Sequence, residues 1–448
     1  MRVLTKRRDF LKSSALFAAG ALVCASGVET HAQEASSNWY RGNLHMHTFR
    51  SDGTAFPDEA AALYKRLGYH FVALTDHNAT HENPDRWVAY GKKNLTPEHV
   101  VRFRENFPNM PIETRLEADG ATACRLKTFD EISALLNEPE RFLLISGNEV
   151  SSGSKNGEEL HANFINTRRE NKVRPTETGK ENLLWTLELR DEYIGAENPD
   201  TLYIVNHPLW RFYDVDPRSL VEQPTIRFFE VANIGGKPLF SAPDEFWTHD
   251  KFWDIVNAFR AEKGDPLLFG VATDDTHGYD SFYSKPTSLG FVVVRAPQLS
   301  TREIMHAMHR GDFYASTGSL LKDVWWEPSV GKLSISVDPE PGCEYTIQFI
   351  GTKKGFDHTI EREIEYTASG TIPEWAIRQN YRLPTRKIAV YSDDIGRVLH
   401  EERGLNAEYV LQPEDLYVRA RILMRKSAQA STAPSTLPTV WTQPVRVA

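Results

Sequence analysis

From Trp39 to about Ser316, short continuously apolar runs alternate with longer amphipathic stretches. FVALTD (71–76), RFLLISGNEV (141–150), TLYIVNHP (201–208), IRFFEVAN (226–233) and PLLFGVATDD (266–275) are too short for typical helices and lack the alternation of a half-exposed strand. Such runs suit strands buried on both faces, as in a parallel sheet. PDEAAALYKRLGY opens with Pro57 at a helix start and places Ala61, Leu63 and Leu67 along a buried stripe. FDEISALLN, KENLLWTLELRDEYI, EFWTHDKFWDIVNAFRAEK and STREIMHAMHRG read as further helices. Strand–helix alternation over about 280 residues predicts an α/β barrel or a doubly wound sheet. Residues 84–127 read as a long polar excursion, partly helical.

After Leu320 the period changes to two. KLSISVDPEPGCEYTIQFIG, RKIAVYSD and LYVRARILM alternate polar and apolar residues between turn residues, and the Ser/Thr/Pro/Ala-rich KSAQASTAPSTLPT precedes a last strand, VWTQPVRV. That is the texture of a β-sandwich or β-barrel. The expected division is therefore 39–320 for the α/β part and 321–448 for a small β-sandwich-like domain, with no tandem repeat of fixed period.

The N-terminal TKRRDFLKSSALFAAGALVCASGVETHAQEA changes the picture of where the chain works. Lys6, Arg7, Arg8 and Lys12 precede a mildly apolar run from Ser13 to Val28, and Thr30-His31-Ala32 offers a small-residue cleavage site. RRDFLK resembles a twin-arginine export signal. A signal peptide over residues 1–32 implies passage through the twin-arginine machinery and a periplasmic or secreted protein, with no stable membrane insertion after cleavage. Those residues carry five basic and two acidic side chains, so their removal takes the formal charge from −9 to −12. An acidic chain without a basic stripe is a poor ligand for a nucleic-acid polymer, although a nucleotide substrate remains open. Cys24, Cys124 and Cys343 are too few for a disulfide framework, and no Cys/His spacing suggests a zinc knuckle.

The chemically capable residues fall at strand ends. His45 and His47 end the first expected strand and share a face. Asp76 and His77 end the second, Glu149 the third, His207 a later one, and Asp275 with His277 the last, while His161 lies in ELHANFIN, a fourth strand. In a parallel barrel such ends converge on one face. A lone His-x-His or Asn-His-Pro means little, and Asp76 alone reads equally as a helix cap. Six of fifteen histidines at strand ends is a concerted pattern. His31 leaves with the signal; His70, His81, His99, His249, His306, His309, His358 and His400 read as helix-face, loop or surface residues, His81 being near enough for a substrate contact. Imidazoles and carboxylates without thiolates suit Zn²⁺, Mn²⁺ or Fe²⁺. The donors outnumber one ion's needs, so two or three divalent ions sharing Glu149 are expected.

This constellation resembles the polymerase-and-histidinol-phosphatase (PHP) superfamily, whose pattern of His-x-His, a later Asp or His, a (T)DH, a Glu, two separate His and a terminal Asp-x-His is met in order by His45, His47, Asp52, His77, Glu149, His161, His207, Asp275 and His277. The resemblance implies a distorted seven-stranded (β/α) TIM-like barrel. It places His45, His47, Glu149 and Asp275 on a first ion, Glu149, His161 and His207 on a second, and Asp52, His77 and His277 on a third. Asp275 is chosen over Asp274 because the pattern is Asp-x-His. GDFYASTG (311–318) resembles a segment that follows the barrel in the exported branch of these hydrolases. The expected function is hydrolysis of a small phosphate mono- or diester by a metal-bridging hydroxide. Asp76 is expected to orient a ligand or carry a proton, Arg50 and Arg211 to meet the anion, and Trp210 and Tyr314 to wall the pocket or pack. The alternatives are a carboxyl-ester, carbamate or amide hydrolase on the same metals, and a non-catalytic protein that binds carbohydrate or a surface polymer.

Overall fold

The computed structural model describes residues 38–196, 198–236, 239–240, 243, 246–284, 289–378, 382–426 and 437–447. The expected signal segment and most of the Ser/Thr/Pro/Ala loop lie outside them. The first half of the chain runs β1 (Asn38–Asn43), α1 (Pro57–Arg66), β2 (Phe71–Ala73), β3 (Trp87–Ala89), α2 (Pro97–Asn106), β4 (Thr114–Leu116), β5 (Thr122–Arg125), α3 (Phe129–Leu136), β6 (Leu143–Ile145), β7 (Gly147–Gly153), β8 (Glu159–Ile165), α4 (Gly179–Ala196) and β9 (Leu202–Val205). It continues through α5 (Pro217–Val221), β10 (Phe228–Asn233), α6 (His249–Lys263), β11 (Phe269–Thr273), α7 (Asp280–Ser284), β12 (Phe291–Ala296), α8 (Thr301–Arg310) and β13 (Phe313–Ser316). The last part is β14 (Leu320–Glu327), β15 (Lys332–Asp338), β16 (Cys343–Lys353), β17 (Ile360–Thr367), α9 (Glu374–Arg378), β18 (Thr385–Tyr391), β19 (Arg397–Arg403), β20 (Asn406–Val410), β21 (Asp415–Lys426) and β22 (Thr439–Thr442).

Local chemistry sets the helix bounds. Pro57 starts α1, Glu59 accepts the Phe56 N–H at 2.9 Å, and Lys65 and Arg66 close the last turn against the helix dipole. Ala61 and Leu63 of the expected stripe are buried, while Leu67 stands half-buried just beyond the helix. The Thr248 and Ser300 side chains cap α6 and α8, and each helix stops at a left-handed glycine, Gly264 or Gly311.

The buried strands form two sheets of mixed direction. In one, β1, β2 and β6 pair in parallel, Asn43 opposite Val72 and Val72 opposite Leu144, while β12 joins β1 antiparallel. In the other, β9, β10 and β11 are parallel, whereas β8 runs antiparallel to both β7 and β9. The apolar runs thus pair in parallel as expected in β2, β6, β9, β10 and β11, while β7, β8 and β12 add antiparallel pairs that the runs did not announce. Only Ser146 separates β6 from β7, so the chain steps there from one sheet to the other. Beyond the strand ends, bridges at Met46–Thr276 and His77–Glu149 tie the sheets together. One apolar cluster takes Tyr40, Phe71 and Ile145 from the first sheet and Ile165, Ile204, Phe228 and Val271 from the second. Burying each such side chain contributes about 1.5–3 kcal/mol.

The segment beyond 320 continues the first sheet, whose order is β19-β16-β21-β22-β13-β12-β1-β2-β6. At the expected boundary near 321 the two flanking strands part: β13 pairs with β22 in this sheet, whereas β14 pairs with β15 in a separate three-stranded sheet ordered β14-β15-β20. The alternation of β15 and β16 is met by alternating burial. Arg419 of β21 is fully buried and grips Asp254 of α6 with Nε and Nη2 at 2.9 and 2.7 Å, and Asp250 at 2.8 Å. The excursion at 84–127 carries α2, a small sheet ordered β3-β5-β4 and its own apolar cluster around Phe103 and Cys124. No helix among the described residues is long and apolar enough to cross a membrane.

Candidate metal centre

The rim bridges just described bring the expected donors together. Asp275 N donates to His45 O at 3.0 Å and His47 N to Thr276 O at 2.9 Å, which places the His-x-His pair beside Asp275. His161 lies near the start of β8, yet reaches the same rim because β8 runs against its neighbours. The Ser-Asp-Gly turn folds back so closely that a Cβ on Gly53 would lie 2.4 Å from His47 O, and this approach sets Asp52 beside His47. Asp275 (φ 49°) and His207 (φ 21°) hold left-handed backbone uncommon for such residues, the kind of local strain that collects at functional sites.

Glu149 is the hub and is fully buried. Its Oε1 lies 3.2 Å from His45 Nε2, 3.2 Å from His161 Nδ1 and 3.5 Å from His207 Nε2; its Oε2 lies 2.7 Å from His77 Nδ1 and 3.4 Å from His47 Nε2. Asp275 Oδ1 stands 3.2 Å from His45 and 2.9 Å from His47. On the outer side, Asp52 Oδ1 faces His47, His77 and His277 at 3.8, 3.7 and 3.5 Å. Three overlapping groups result: His45, His47 and Asp275; His77, Glu149 and His161; and His47, Asp52, His77 and His277. His47 and His77 each belong to two of them, a different sharing from the one the resemblance implies, and His207 stands just outside.

Despite this crowding, Glu149 Oε2 and His161 Nδ1 are buried without a hydrogen bond of acceptable geometry. Buried polar atoms are nearly always partnered, so lone pairs that converge without one point to a cation. The donor set fits two or three divalent ions with N/O ligands. Without a cation, protons take that place: burial opposes charging His161, but the Glu149 carboxylate overrides it and lifts the imidazole to about 10. His277 likewise rises to about 9 against burial, through Asp52 and Asp275. Burial, with the neighbouring His77 and His277, pushes His47 down to about 4.

Residues behind the donors fix their tautomers. Glu230, fully buried in β10, accepts from His45 Nδ1 at 2.7 Å, Thr273 Oγ1 at 2.6 Å, His207 N at 2.8 Å and Asn233 Nδ2 at 2.7 Å. The carboxylate accepts only, so His45 carries its proton on Nδ1 and turns the Nε2 lone pair to the centre. His277 Nδ1 donates to Asp275 O at 2.9 Å and frees Nε2 towards Asp52 in the same way. Asn206 Nδ2 donates to Glu149 Oε1 at 2.8 Å. Neither Glu230 nor Asn206 stood out in the sequence; the available signal was a lone charge inside the apolar FFEVAN.

Asp76 is wholly buried and accepts from Thr48 N, Thr48 Oγ1, Ser51 N, Ser51 Oγ and His81 Nε2 at 2.6–3.0 Å. It anchors the loop between His47 and Asp52, which gives it a positioning role. His81 is correspondingly a buried hydrogen-bond partner of Asp76. Arg50 is buried and bonds Glu170 at 2.7 Å, and Arg211 bonds Glu159 at 2.9 Å beside His161. The Trp210 ring lies 5.3 Å from those of His161 and His207, at the wall of the centre. Tyr314 packs edge-on against Trp39, and its hydroxyl accepts from Leu321 N, so it is a packing residue remote from the donors. Of the other histidines, His249 at the start of α6 is near enough to feel Glu230 and His207.

No family model and no curated protein matches the chain. Among solved structures, a two-domain protein from Bacteroides vulgatus containing a predicted PHP-like metal-dependent phosphoesterase aligns at 15% identity and a TM-score of 0.37, over 84% of this chain and 96% of that one. An amidohydrolase from Chromobacterium violaceum aligns at 13% identity and a TM-score of 0.27, over 54% and 88%. A putative metal-dependent phosphoesterase from Bifidobacterium adolescentis aligns at 13% and 0.27, over 55% and 90%. Likenesses this distant leave the function to the geometry of the site itself.

Proposed function

We propose that the chain is a metal-dependent phosphoesterase that hydrolyses a phosphate mono- or diester. In this reading its two sheets are the walls of a distorted (β/α)7 barrel of the PHP kind, and it acts outside the cytoplasm after twin-arginine export. The observation that carries the reading is the convergence of five histidines from four separate segments on buried Glu149, with lone pairs left unpartnered. These donors would hold divalent ions such as zinc, manganese or iron, whose Lewis acidity would serve to activate water and polarise the ester. Glu230 and the Asp275 carbonyl hold His45 and His277 in the tautomers that present Nε2. Asp76 fixes the 48–51 loop and through it the spacing of His47 and Asp52. Arg50 and Arg211 supply positive charge for a phosphate anion, and each is held by a glutamate in its absence.

The test is a substrate panel, nitrophenyl phosphate, a nitrophenyl phosphodiester, acetate and carbamate, run on chelator-treated protein before and after Zn²⁺ or Mn²⁺ is restored. Phosphoester hydrolysis confined to the reloaded protein, and lost in the double variant His45→Ala with Glu149→Ala, is expected. Full activity in that variant refutes the proposal. Turnover of acetate or carbamate alone shifts the chemistry to carbon esters, and metal binding with no turnover of any ester favours a binding protein.

A further inference from the structure

We infer that Arg50 is the contact for the substrate's phosphate dianion, and that Glu170 is an internal carboxylate which occupies that contact until substrate displaces it. The inference deepens the phosphoesterase reading and rests on it. Arg50 lies two residues before Asp52, and its backbone N–H donates to Thr48 Oγ1 at 3.1 Å, so it is built into the loop that spaces the donors. Its side chain is only 7% exposed. A buried guanidinium beside a metal centre is costly unless an anion matches it.

The match in the structure is half made. Glu170 Oε1 takes Arg50 Nη2 at 2.7 Å, while Arg50 Nε is buried without a hydrogen bond. The Nε and Nη2 donors share one edge of the guanidinium, the edge that receives oxyanions side-on. Arg419 shows the same edge fully used in this protein, with both nitrogens on Asp254. Against Arg50, Glu170 uses one nitrogen only, and the same Oε1 also accepts from Thr80 N at 3.1 Å. Its carboxylate is also half in solvent, 50% exposed. A phosphate dianion, with more charge and three terminal oxygens, satisfies both nitrogens, and Glu170 has water to retreat into.

The position is suitable. Asn171, next to Glu170, donates to Asn78 Oδ1 at 3.3 Å, and Asn78 follows His77 in the chain. The segment that carries Glu170 is thereby tied to the residue after His77, while Arg50 lies two residues before Asp52, and both His77 and Asp52 belong to the group of His47, Asp52, His77 and His277. A neutral ester gains nothing from this contact, so the pair selects anionic substrates.

The experiment measures inorganic phosphate binding to the metal-loaded protein by calorimetry, together with kcat and KM for nitrophenyl phosphate, in wild type, Glu170→Gln, Arg50→Lys and the double variant. Glu170→Gln keeps an acceptor for Thr80 N while removing the charge. A half-exposed ion pair is weak, so its loss is expected to tighten phosphate binding and lower KM by about two- to fivefold with kcat little changed. Arg50→Lys loses the side-on fork and is expected to weaken both by roughly tenfold or more, and to abolish the response to Glu170→Gln. Unchanged or weaker phosphate binding in Glu170→Gln overturns the inference, as does an Arg50→Lys protein that binds phosphate normally. Phosphate binding that responds as expected in a protein that hydrolyses no phosphoester keeps the anion contact and rejects the reaction. If Arg50→Lys unfolds, the direction of the Glu170→Gln shift alone decides.

Discussion

Glu230→Gln tests the claim that the centre depends on tautomers fixed from behind. Gln offers one acceptor and one NH2 group where the carboxylate offers two acceptors. In wild type, Oε1 receives His45 Nδ1 and Thr273 Oγ1, and Oε2 receives His207 N and Asn233 Nδ2. Either orientation of the amide sets its NH2 against one of these pairs of donors. With the NH2 towards His45, the imidazole must accept at Nδ1, carry its proton on Nε2 and so lose the lone pair aimed at Glu149. With the NH2 towards His207, a backbone N–H is left unpaired in a buried site, a loss of about 1–3 kcal/mol. Removing such a supporting partner lowers metal affinity by roughly 10- to 100-fold, or about 1.4–2.7 kcal/mol. The assay is competitive Zn²⁺ titration against a fluorescent chelator, with elemental analysis for stoichiometry and circular dichroism to confirm folding. Glu230→Asp, which retains two acceptors, is expected to fall between the two. A folded Glu230→Gln protein with wild-type affinity and stoichiometry refutes the reasoning.

Asp52→Asn weakens only the group of His47, His77 and His277, so elemental analysis is expected to find about one ion fewer per chain while the His45–Asp275 group stays loaded. Unchanged stoichiometry counts against a separate outer ion. Arg419→Met leaves buried Asp254 with Tyr417 OH at 2.9 Å as a remaining donor and is expected to cost about 3–5 kcal/mol in urea unfolding; a loss below about 1 kcal/mol would place the pair with weak surface bridges. Glu131 at the start of α3 is held at about 2, below its ordinary 4.5, chiefly by its bond to Arg125. Its folded-state pKa is depressed, so its contribution is complete above about pH 4.5 and is lost as pH falls through about 2. Hydrogen exchange in α3 is expected to accelerate across that window in wild type but not in Glu131→Gln.

The donors were legible because each is a chemically loud residue at the end of an apolar run: His45, His47, His77, His207 and Asp275 all follow strands, as their patterns imply. His161 was found by type although its place in the strand is reversed, since a sequence does not state strand direction. Glu230 was hidden because a buried carboxylate acquires its role only from the four donors that surround it. The partners of Arg50 and Arg211 lie 120 and 52 positions away, beyond any local pattern. Alternation identified β15, β16 and β21 as strands but did not say which sheet they would extend. The rim contacts that sort eight donors into groups depend on bridges between segments far apart in the sequence, Met46 with Thr276 and His77 with Glu149.

The place of β22 has a consequence for the timing of folding. This four-residue strand is inserted between β13 and β21, pairing Tyr314 with Thr442 on one side and Arg421 with Trp441 on the other. A nascent chain that has emerged only to residue 438 therefore presents two bare strand edges across an open slot, a shape that invites pairing with other chains. The long sheet that carries β1, and with it the first two histidines, is sealed by a strand far downstream of β13 in the sequence. Completion of this sheet therefore waits on a pairing between segments distant in sequence, more than on the order in which its strands appear.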